Sequence, residues 1–313
     1  RGFASRLECT ECGNIPMCPH CSVALTFHKY FDNLRCHYCG YSTKAPHSCP
    51  ECGSLELRDV GTGTQRIEDE LHEELQKMGL TAEIQRMDLD TTARKGTHRA
   101  MLGKFSRGET DILLGTQMVT KGLDFARVTL VGVVNADIQL YLPDFRASER
   151  TFQLLTQVSG RAGRSSQFAG EVIIQTTHSR HQSILATITS SYDLFYNDEL
   201  QQRKDALYPP FTRFCLIEFT GKNEETVHQQ AHYFAHFLPS QHKAFIKLGP
   251  AIPSIARLRS EHRRIIVLKN LKHIDPSGSL LREALHNAFA AYTQHHPSKA
   301  VSIKVDIDSF GIV

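Results

Sequence analysis

Four C-x-x-C pairs crowded into the first 52 residues, alternating helical and strand patterns over 61–176, and a strand-helix-strand-strand-helix-strand order after residue 209 predict an α/β chain. Three modules follow: a cysteine-rich module over 1–60, an α/β lobe with a parallel sheet over 61–202, and an α+β domain over 203–313. The length of 313 residues suits this count at roughly 100–200 residues per domain. Charged residues make up 22% and hydrophobic residues 41%, an ordinary globular balance. No window reaches the ~18 uninterrupted apolar residues of a membrane span, and no charged-then-apolar leader opens the chain, which argues against a secreted or membrane role. The first residue is Arg1, not Met, so a processed or excised piece of a longer protein is expected.

The cysteine module comes first. Cys9 and Cys12, Cys18 and Cys21, Cys36 and Cys39, and Cys49 and Cys52 are four C-x-x-C pairs. Two thiolates at that spacing on a tight turn face one metal, and two such turns complete a tetrahedral zinc site. Eight ligands therefore make two zincs. A disulfide framework is the rival reading, set aside because the rest of the chain looks intracellular, where thiols stay reduced. Gly13, Gly40 and Gly53 follow three of the pairs directly, as a metal-binding turn requires. Four pairs combine in three ways. Only five residues separate Cys12 from Cys18, whereas fourteen separate Cys21 from Cys36, near the usual spacing of paired zinc turns. The preferred arrangement is nested: Cys18, Cys21, Cys36 and Cys39 hold one zinc, and Cys9, Cys12, Cys49 and Cys52 the other. With all positions thiolate, both sites are closed and structural, and His20, His37 and His47 are left as surface or neighbouring groups. Closure also argues against a zinc hydrolase. Cys215, alone in an apolar run, reads as a core thiol.

The lobe follows. Thr64 is placed to cap a helix in which Ile67, Leu71, Leu75 and Met78 recur at helical spacing, and Gly79 ends it. Strands are expected over 82–87, 111–115, 128–135 and 171–176, with helices over 99–105 and 148–158. The runs Ile112-Leu113-Leu114 and Val128 to Val134 are apolar enough to be covered on both faces, as in a parallel sheet. Function in such sheets gathers beyond the strands' carboxyl ends. Two stretches are placed there: Gly115-Thr116-Gln117-Met118-Val119-Thr120-Lys121-Gly122-Leu123-Asp124-Phe125, and Gln157-Val158-Ser159-Gly160-Arg161-Ala162-Gly163-Arg164. Two arginines three apart among glycines suit bidentate phosphate binding, though either stretch alone is an ordinary solvated loop.

In the last domain, strands are expected over 212–220, 251–259, 263–268 and 301–307, with helices over 224–238 and 280–291. This third carries 15 Lys and Arg against 9 Asp and Glu, while the lobe is slightly acidic, so the net charge of +3 conceals a local basic surface. Arg257, Arg259, His262, Arg263 and Arg264 crowd one hairpin, with Phe245 and Tyr233 expected nearby, a pattern suited to phosphate-backbone contact. The alternative is an edge hairpin protected by its arginines from pairing with another chain.

Taken in order, the two lobe stretches resemble the second lobe of superfamily 2 helicases. With the nested cysteine block, Gly61-Thr62-Gly63-Thr64-Gln65, Met87-Asp88-Leu89-Asp90-Thr91-Thr92-Ala93-Arg94-Lys95-Gly96 and Tyr208-Pro209-Pro210-Phe211, the whole chain is similar to the primosomal replication-restart helicases. The resemblance implies a RecA-like second lobe with an inserted two-zinc module. It implies that Thr116 and Gln117 contact the DNA strand, that Asp124, Gly122 and Gly160 border the nucleotide, and that Gln157 couples nucleotide to DNA. Arg161 and Arg164 would reach the nucleotide phosphates, one as an arginine finger. It further implies ATP and Mg, 3′ to 5′ movement on single-stranded DNA, stalled forks as substrate, primosome proteins and single-strand DNA-binding protein as partners, and a cytoplasmic, nucleoid-associated location. Neither Gly103-Lys104-Phe105 nor Gly221-Lys222-Asn223 satisfies a P-loop, and no D-E-x-H box is present. The chain is therefore expected to be the C-terminal portion of a longer helicase, without ATPase activity alone. The competing reading is a non-catalytic, zinc-stabilised module that binds nucleic acid or protein.

Overall fold

The computed structural model describes residues 6–28, 31–60, 63–87, 96–116, 125, 127–163, 169–295 and 299–309. These fall into two compact units. One comprises Asp59–Leu142 with Arg146–Phe195, and the other Arg6–Arg58, Pro143–Phe145 and Tyr196–Val313. The cysteine-rich module thus belongs with the C-terminal domain.

The module's strands are short: β1 (Arg6–Cys9), β2 (Thr26–His28), β3 (Asn33–Arg35), β4 (Ser42–Lys44) and β5 (Leu57–Val60). β2, β3 and β4 form an antiparallel sheet, and β1 pairs with β5 at the module's two ends. Its core is small: Leu7, Leu25, Leu34 and Ala45 around Cys18, Cys21 and Cys36. So few apolar side chains do not hold a fold of this size without a further constraint, which is the usual reason such modules bind metal.

The lobe has α1 (Thr64–Lys77), β6 (Ile84–Met87), α2 (Thr97–Arg107), β7 (Ile112–Gly115), β8 (Leu130–Val133), α3 (Asp137–Leu140), α4 (Ala147–Ser159), β9 (Glu171–Ile174) and α5 (Gln182–Ile188). A further helix, α6 (Tyr192–Asp205), runs across the boundary between the units. β6 pairs with β7 and β8 with β9, both parallel as expected. Three details differ. Gly63 is the N-cap of α1 and its carbonyl accepts the first intrahelical bond, from the Ile67 N–H at 3.2 Å, so Thr64 is already helical and does not cap. The short helices α3 and α5, and α6, carried no signal strong enough to be predicted. The third concerns cover. Side chains alternate between faces of a strand, and among the described residues one face of β8–β9 packs, with Val133 and Ile174 against Leu155 of α4 and Ile184 of α5. On the other face Leu130 is 56% and Ile173 54% exposed, so the expected double cover does not hold here.

The C-terminal domain contains β10 (Thr212–Gly221), α7 (Glu224–Phe237), β11 (Phe245–Ala251), β12 (Arg257–Leu258), β13 (Glu261–Leu271), α8 (Ser279–His295) and β14 (Val301–Ile307). Its antiparallel sheet runs β11-β13-β10-β14, with β12 turned back on β13. The strand expected over 251–259 is misplaced: the ladder partner of β13 is the earlier β11, Phe245–Ala251, and of the expected span only Ala251 and the two-residue β12 are strand, Pro253 between them having no N–H to donate to a ladder. One face of the sheet packs Ile217, Phe219, Ile266 and Leu268 against α7 and α8 through Phe234, Leu281 and Leu285. The other packs Phe214, Leu216, Ile265 and Val267 on Tyr208, whose ring stacks on Phe145 with centroids 5.0 Å apart. Cys215 is fully buried in the first layer, and burial pushes its thiol up to about 12, the behaviour of an inert core residue.

Candidate metal centres and loop motifs

Each cysteine pair opens a turn of one design. The first cysteine's N–H donates to the carbonyl five residues on: Cys9 to Asn14, Cys18 to Val23, Cys36 to Tyr41 and Cys49 to Ser54, at 2.7–3.0 Å. In three turns the glycine four residues on donates back to that cysteine's carbonyl, with φ of +71° at Gly13, +80° at Gly40 and +74° at Gly53. Glycine enters that conformation without the strain a side chain would cause. The second turn has Ser22 there instead, and its N–H goes to Arg257 of β12 at 2.9 Å.

The turns meet in two clusters, Cys9, Cys12, Cys49 and Cys52, and Cys18, Cys21, Cys36 and Cys39, with all ligand atoms of a cluster within 4.8 Å of one another. This is the nested pairing. Cys9–Cys52, Cys12–Cys49 and Cys18–Cys39 have Sγ atoms 3.6 Å apart. Four sulfurs at about 2.3 Å from one ion stand about 3.8 Å apart on a tetrahedron, so the spacing fits zinc and is far too long for a disulfide bond. Neither cluster includes His20, His37 or His47, so both are all-thiolate, closed sites of structural type. The thiols within a cluster are held unequally: against the Asn14 amide, neighbouring thiols push Cys12 up to about 12, burial pushes Cys18 up to about 12, and backbone N–H groups lower Cys9, Cys39 and Cys49. The Cys52 amide, with that of Glu51, holds the Cys49 thiol down at about 6 against the opposing effect of burial. The clusters differ in setting: in the inner one Cys18, Cys21 and Cys36 are buried and Cys39 half-buried, whereas in the outer one Cys9 and Cys49 are buried but Cys12 and Cys52 are exposed.

In the lobe, Thr116 is an exposed residue just past the carboxyl end of β7. Gln117, Gly122 and Asp124 lie outside the described residues, as does Arg164. Gln157 is exposed in the last turn of α4, and Arg161 follows one residue after the Gly160 cap. This turn is not at the strands' carboxyl ends. The Gly163 N–H donates to the Val128 carbonyl at 3.0 Å and the Glu171 N–H to the Thr129 carbonyl at 2.8 Å, which puts the turn at the amino ends of β8 and β9. A segment joining a helix to the next strand must end there. Gly163, at φ +68°, passes so close to Gly170 that a Cβ on it would stand 2.6 Å from the Gly170 nitrogen. The two glycines thus let the backbone cross and hold the Gln157–Arg161 turn in place.

The carboxyl ends of β8 and β9 carry a group the sequence reading missed. Asp137, 8% exposed, accepts from the hydroxyls of Thr176 and Thr177 and from the Thr177 N–H, with His178 Nδ1 at 3.8 Å. Burial opposes ionisation, yet these donors hold the carboxyl at about 2. Asn135 Oδ1 accepts from the N–H groups of Asp137 and Ile138, fixing the start of α3. The signal for this cluster in the sequence is an acid two residues past the strand expected over 128–135.

The basic hairpin divides. Arg263 and Arg264 are each 6% exposed. Arg263 Nε donates to Glu218 at 2.5 Å and Arg264 Nη2 to Glu224 at 2.9 Å, which lowers the Glu224 carboxyl below its usual range. Their expected phosphate contact is corrected accordingly: both guanidiniums are used inside the domain. Phe245 is likewise a core ring, 2% exposed, and Tyr233 packs against Phe237 and the core. Arg259 is exposed and Arg257 half-buried.

Three family descriptions match the chain: the PriA DNA helicase Cys-rich region over 18–44, the helicase conserved C-terminal domain over 62–166, and the primosomal protein N C-terminal domain over 204–309. The replication restart protein PriA of Bacillus subtilis (strain 168) is 45% identical over 311 residues, 99% of this chain and 37% of that protein. That of Borreliella burgdorferi is 35% identical over 317 residues, all of this chain and 45% of the relative. That of Haemophilus influenzae is 35% identical over 309 residues, 98% of this chain and 40% of the relative. The chain spans about two fifths of the length of these relatives. With the inner cluster, the parallel-stranded lobe and the C-terminal domain each matched by a family description, and nearly the whole chain aligned with PriA proteins, the chain belongs to the PriA family.

Proposed function

We propose that the chain forms the second motor lobe, cysteine-rich module and C-terminal domain of an ATP-dependent 3′ to 5′ DNA helicase that remodels stalled replication forks so that replication restarts. One observation carries this reading: Gln157 and Arg161 leave α4 on a turn whose position is set by the Gly163–Gly170 crossing and the bond to Val128. A binding module has no need of a rigidly presented arginine. On this reading Arg161 and Arg164 neutralise charge developing on the transferred phosphoryl group, Gln157 relays the nucleotide state to the DNA, and Asp124, Gly122 and Gly160 border the nucleotide. Thr116 and Gln117 hold the strand, and Arg257 and Arg259 add salt-sensitive backbone contacts. ATP and Mg are bound by a partner lobe carrying a P-loop. Zinc, when bound, supplies folding energy and no catalytic step. Primosome proteins and single-strand DNA-binding protein are the proposed protein partners, at the nucleoid.

The test is made in the full-length protein. Arg161→Ala is expected to lower DNA-stimulated ATP hydrolysis by roughly 10³-fold or more, the contribution of an arginine finger, while DNA affinity stays unchanged. Undiminished hydrolysis would refute the role. DNA-stimulated hydrolysis by residues 1–313 alone would also contradict the reading.

A further inference from the structure

The tip of the β12–β13 hairpin is strained. Leu258 pairs with Glu261 across two residues, Arg259 at φ +52° and Ser260 at φ +65°. A two-residue turn with both φ positive suits Asn-Gly, and an ordinary side chain placed there is strained. The strain is offset by a set of contacts to the turn that holds Cys18 and Cys21. The Arg259 N–H donates to Cys21 Sγ at 3.3 Å, and the Ser260 N–H to the His20 carbonyl at 2.7 Å. The Ser22 N–H donates to the Arg257 carbonyl at 2.9 Å, and Ser260 Oγ pairs with His20 Nδ1 at 3.0 Å. Arg259 Nε reaches the Tyr38 carbonyl at 3.3 Å, beside the Cys36–Cys39 turn, and Leu258 packs on the module's core. The partner chosen is the one metal-binding turn of the four that lacks glycine, so the Ser22 N–H that elsewhere closes the turn on itself is available to the hairpin.

We propose that residues 257–260 are the outer part of the inner zinc site, with Arg259 a positioning residue whose amide fixes and stabilises the Cys21 thiolate. Metal occupancy at Cys18, Cys21, Cys36 and Cys39 and order in the hairpin are then coupled. Loss of the inner zinc releases an exposed basic loop of the C-terminal domain, and loss of the outer zinc does not. The outer cluster has no counterpart from the C-terminal domain among the described residues.

Two measurements on the whole chain test this. Lengthening the turn by one glycine between Arg259 and Ser260 withdraws the amides without touching a ligand. Zinc transfer to a chromogenic chelator should accelerate about 10- to 100-fold for one of two ions, the usual effect of losing a partner of a metal ligand, and stay unchanged for the other. Hydrogen exchange should then show amides of 257–261 losing protection in Cys36→Ser but keeping it in Cys52→Ser, with β10 protected in both. Unaltered zinc transfer from both sites in the lengthened turn would overturn the proposal, as would equal protection of the hairpin in both serine variants.

Discussion

The two metal centres are each built from four thiols on turns of one design, yet one belongs to an apolar core and the other, with two buried and two exposed thiols, is half open to solvent. Cys18, Cys21 and Cys36 pack with Leu25 and Leu34, and a hairpin from more than 200 residues away closes over them. Cys12 and Cys52 face solvent at the junction of β1 and β5. Ligand chemistry decides that each binds zinc; the neighbours decide what else depends on it. The hairpin arginines teach the same lesson, for Arg259 and Arg263 are four residues apart and do unrelated work.

The largest difference should appear on breaking each centre. Structural zinc contributes about 10–16 kcal/mol of apparent binding energy in small domains. Cys36→Ser is expected to remove that contribution from the module's core, exposing 18–44 to limited proteolysis, whereas Cys52→Ser should cost one zinc and open only the ends. Equal proteolysis would erase the distinction between core and surface centres.

Next come the arginines. Arg263 and Glu218 are both largely buried, with side chains 7% and 20% exposed, so Arg263→Ala strands a carboxylate and should cost about 3–5 kcal/mol in chemical denaturation. Arg264 meets Glu224, which is 57% exposed, so Arg264→Ala should lose about 1 kcal/mol of ion-pair energy beyond its lost packing. Arg259→Ala should barely alter stability but weaken DNA binding and flatten its salt dependence. If Arg263→Ala spared stability and weakened DNA binding instead, the assignment of the two arginines would be reversed.

A smaller effect is expected at Asp137 in the lobe. Its folded-state carboxyl, at about 2, lies below the ordinary value near 4, so its contribution is complete above about pH 4 and disappears as pH falls through 2. Asp137→Asn should cost about 1–3 kcal/mol at neutral pH and show a shallower acid loss of stability between about pH 4 and 2. Identical acid curves for both proteins would contradict the assigned network.

How much of this was legible follows from how far apart the interacting residues lie. The nested pairing could be read because a fourteen-residue gap between paired turns has a local, geometric meaning. The parallel lobe and the sandwich with two helices followed from apolar periodicity. The burial of Arg263 and Arg264 could not be read, since their partners Glu218 and Glu224 lie 45 and 40 positions away and only the β10–β13 register and the start of α7 bring them near. The hairpin's seat on Cys21 spans 238 positions and leaves no periodic trace. The general rule that function gathers beyond the carboxyl ends of a parallel sheet misplaces the Gln157–Gly163 turn for a topological reason: a segment joining a helix to the next strand enters at the amino end.

The pairing of the cysteines underlies the comparison of the two centres, and zinc content in paired substitutions tests it most directly. Purified chains carrying Cys9→Ser with Cys49→Ser, and Cys9→Ser with Cys18→Ser, would be dialysed against a weak chelator and their zinc counted by mass spectrometry. Nested centres predict one zinc retained in the first protein, because both changes fall in one site, and none in the second. One zinc in the second and none in the first would contradict the pairing.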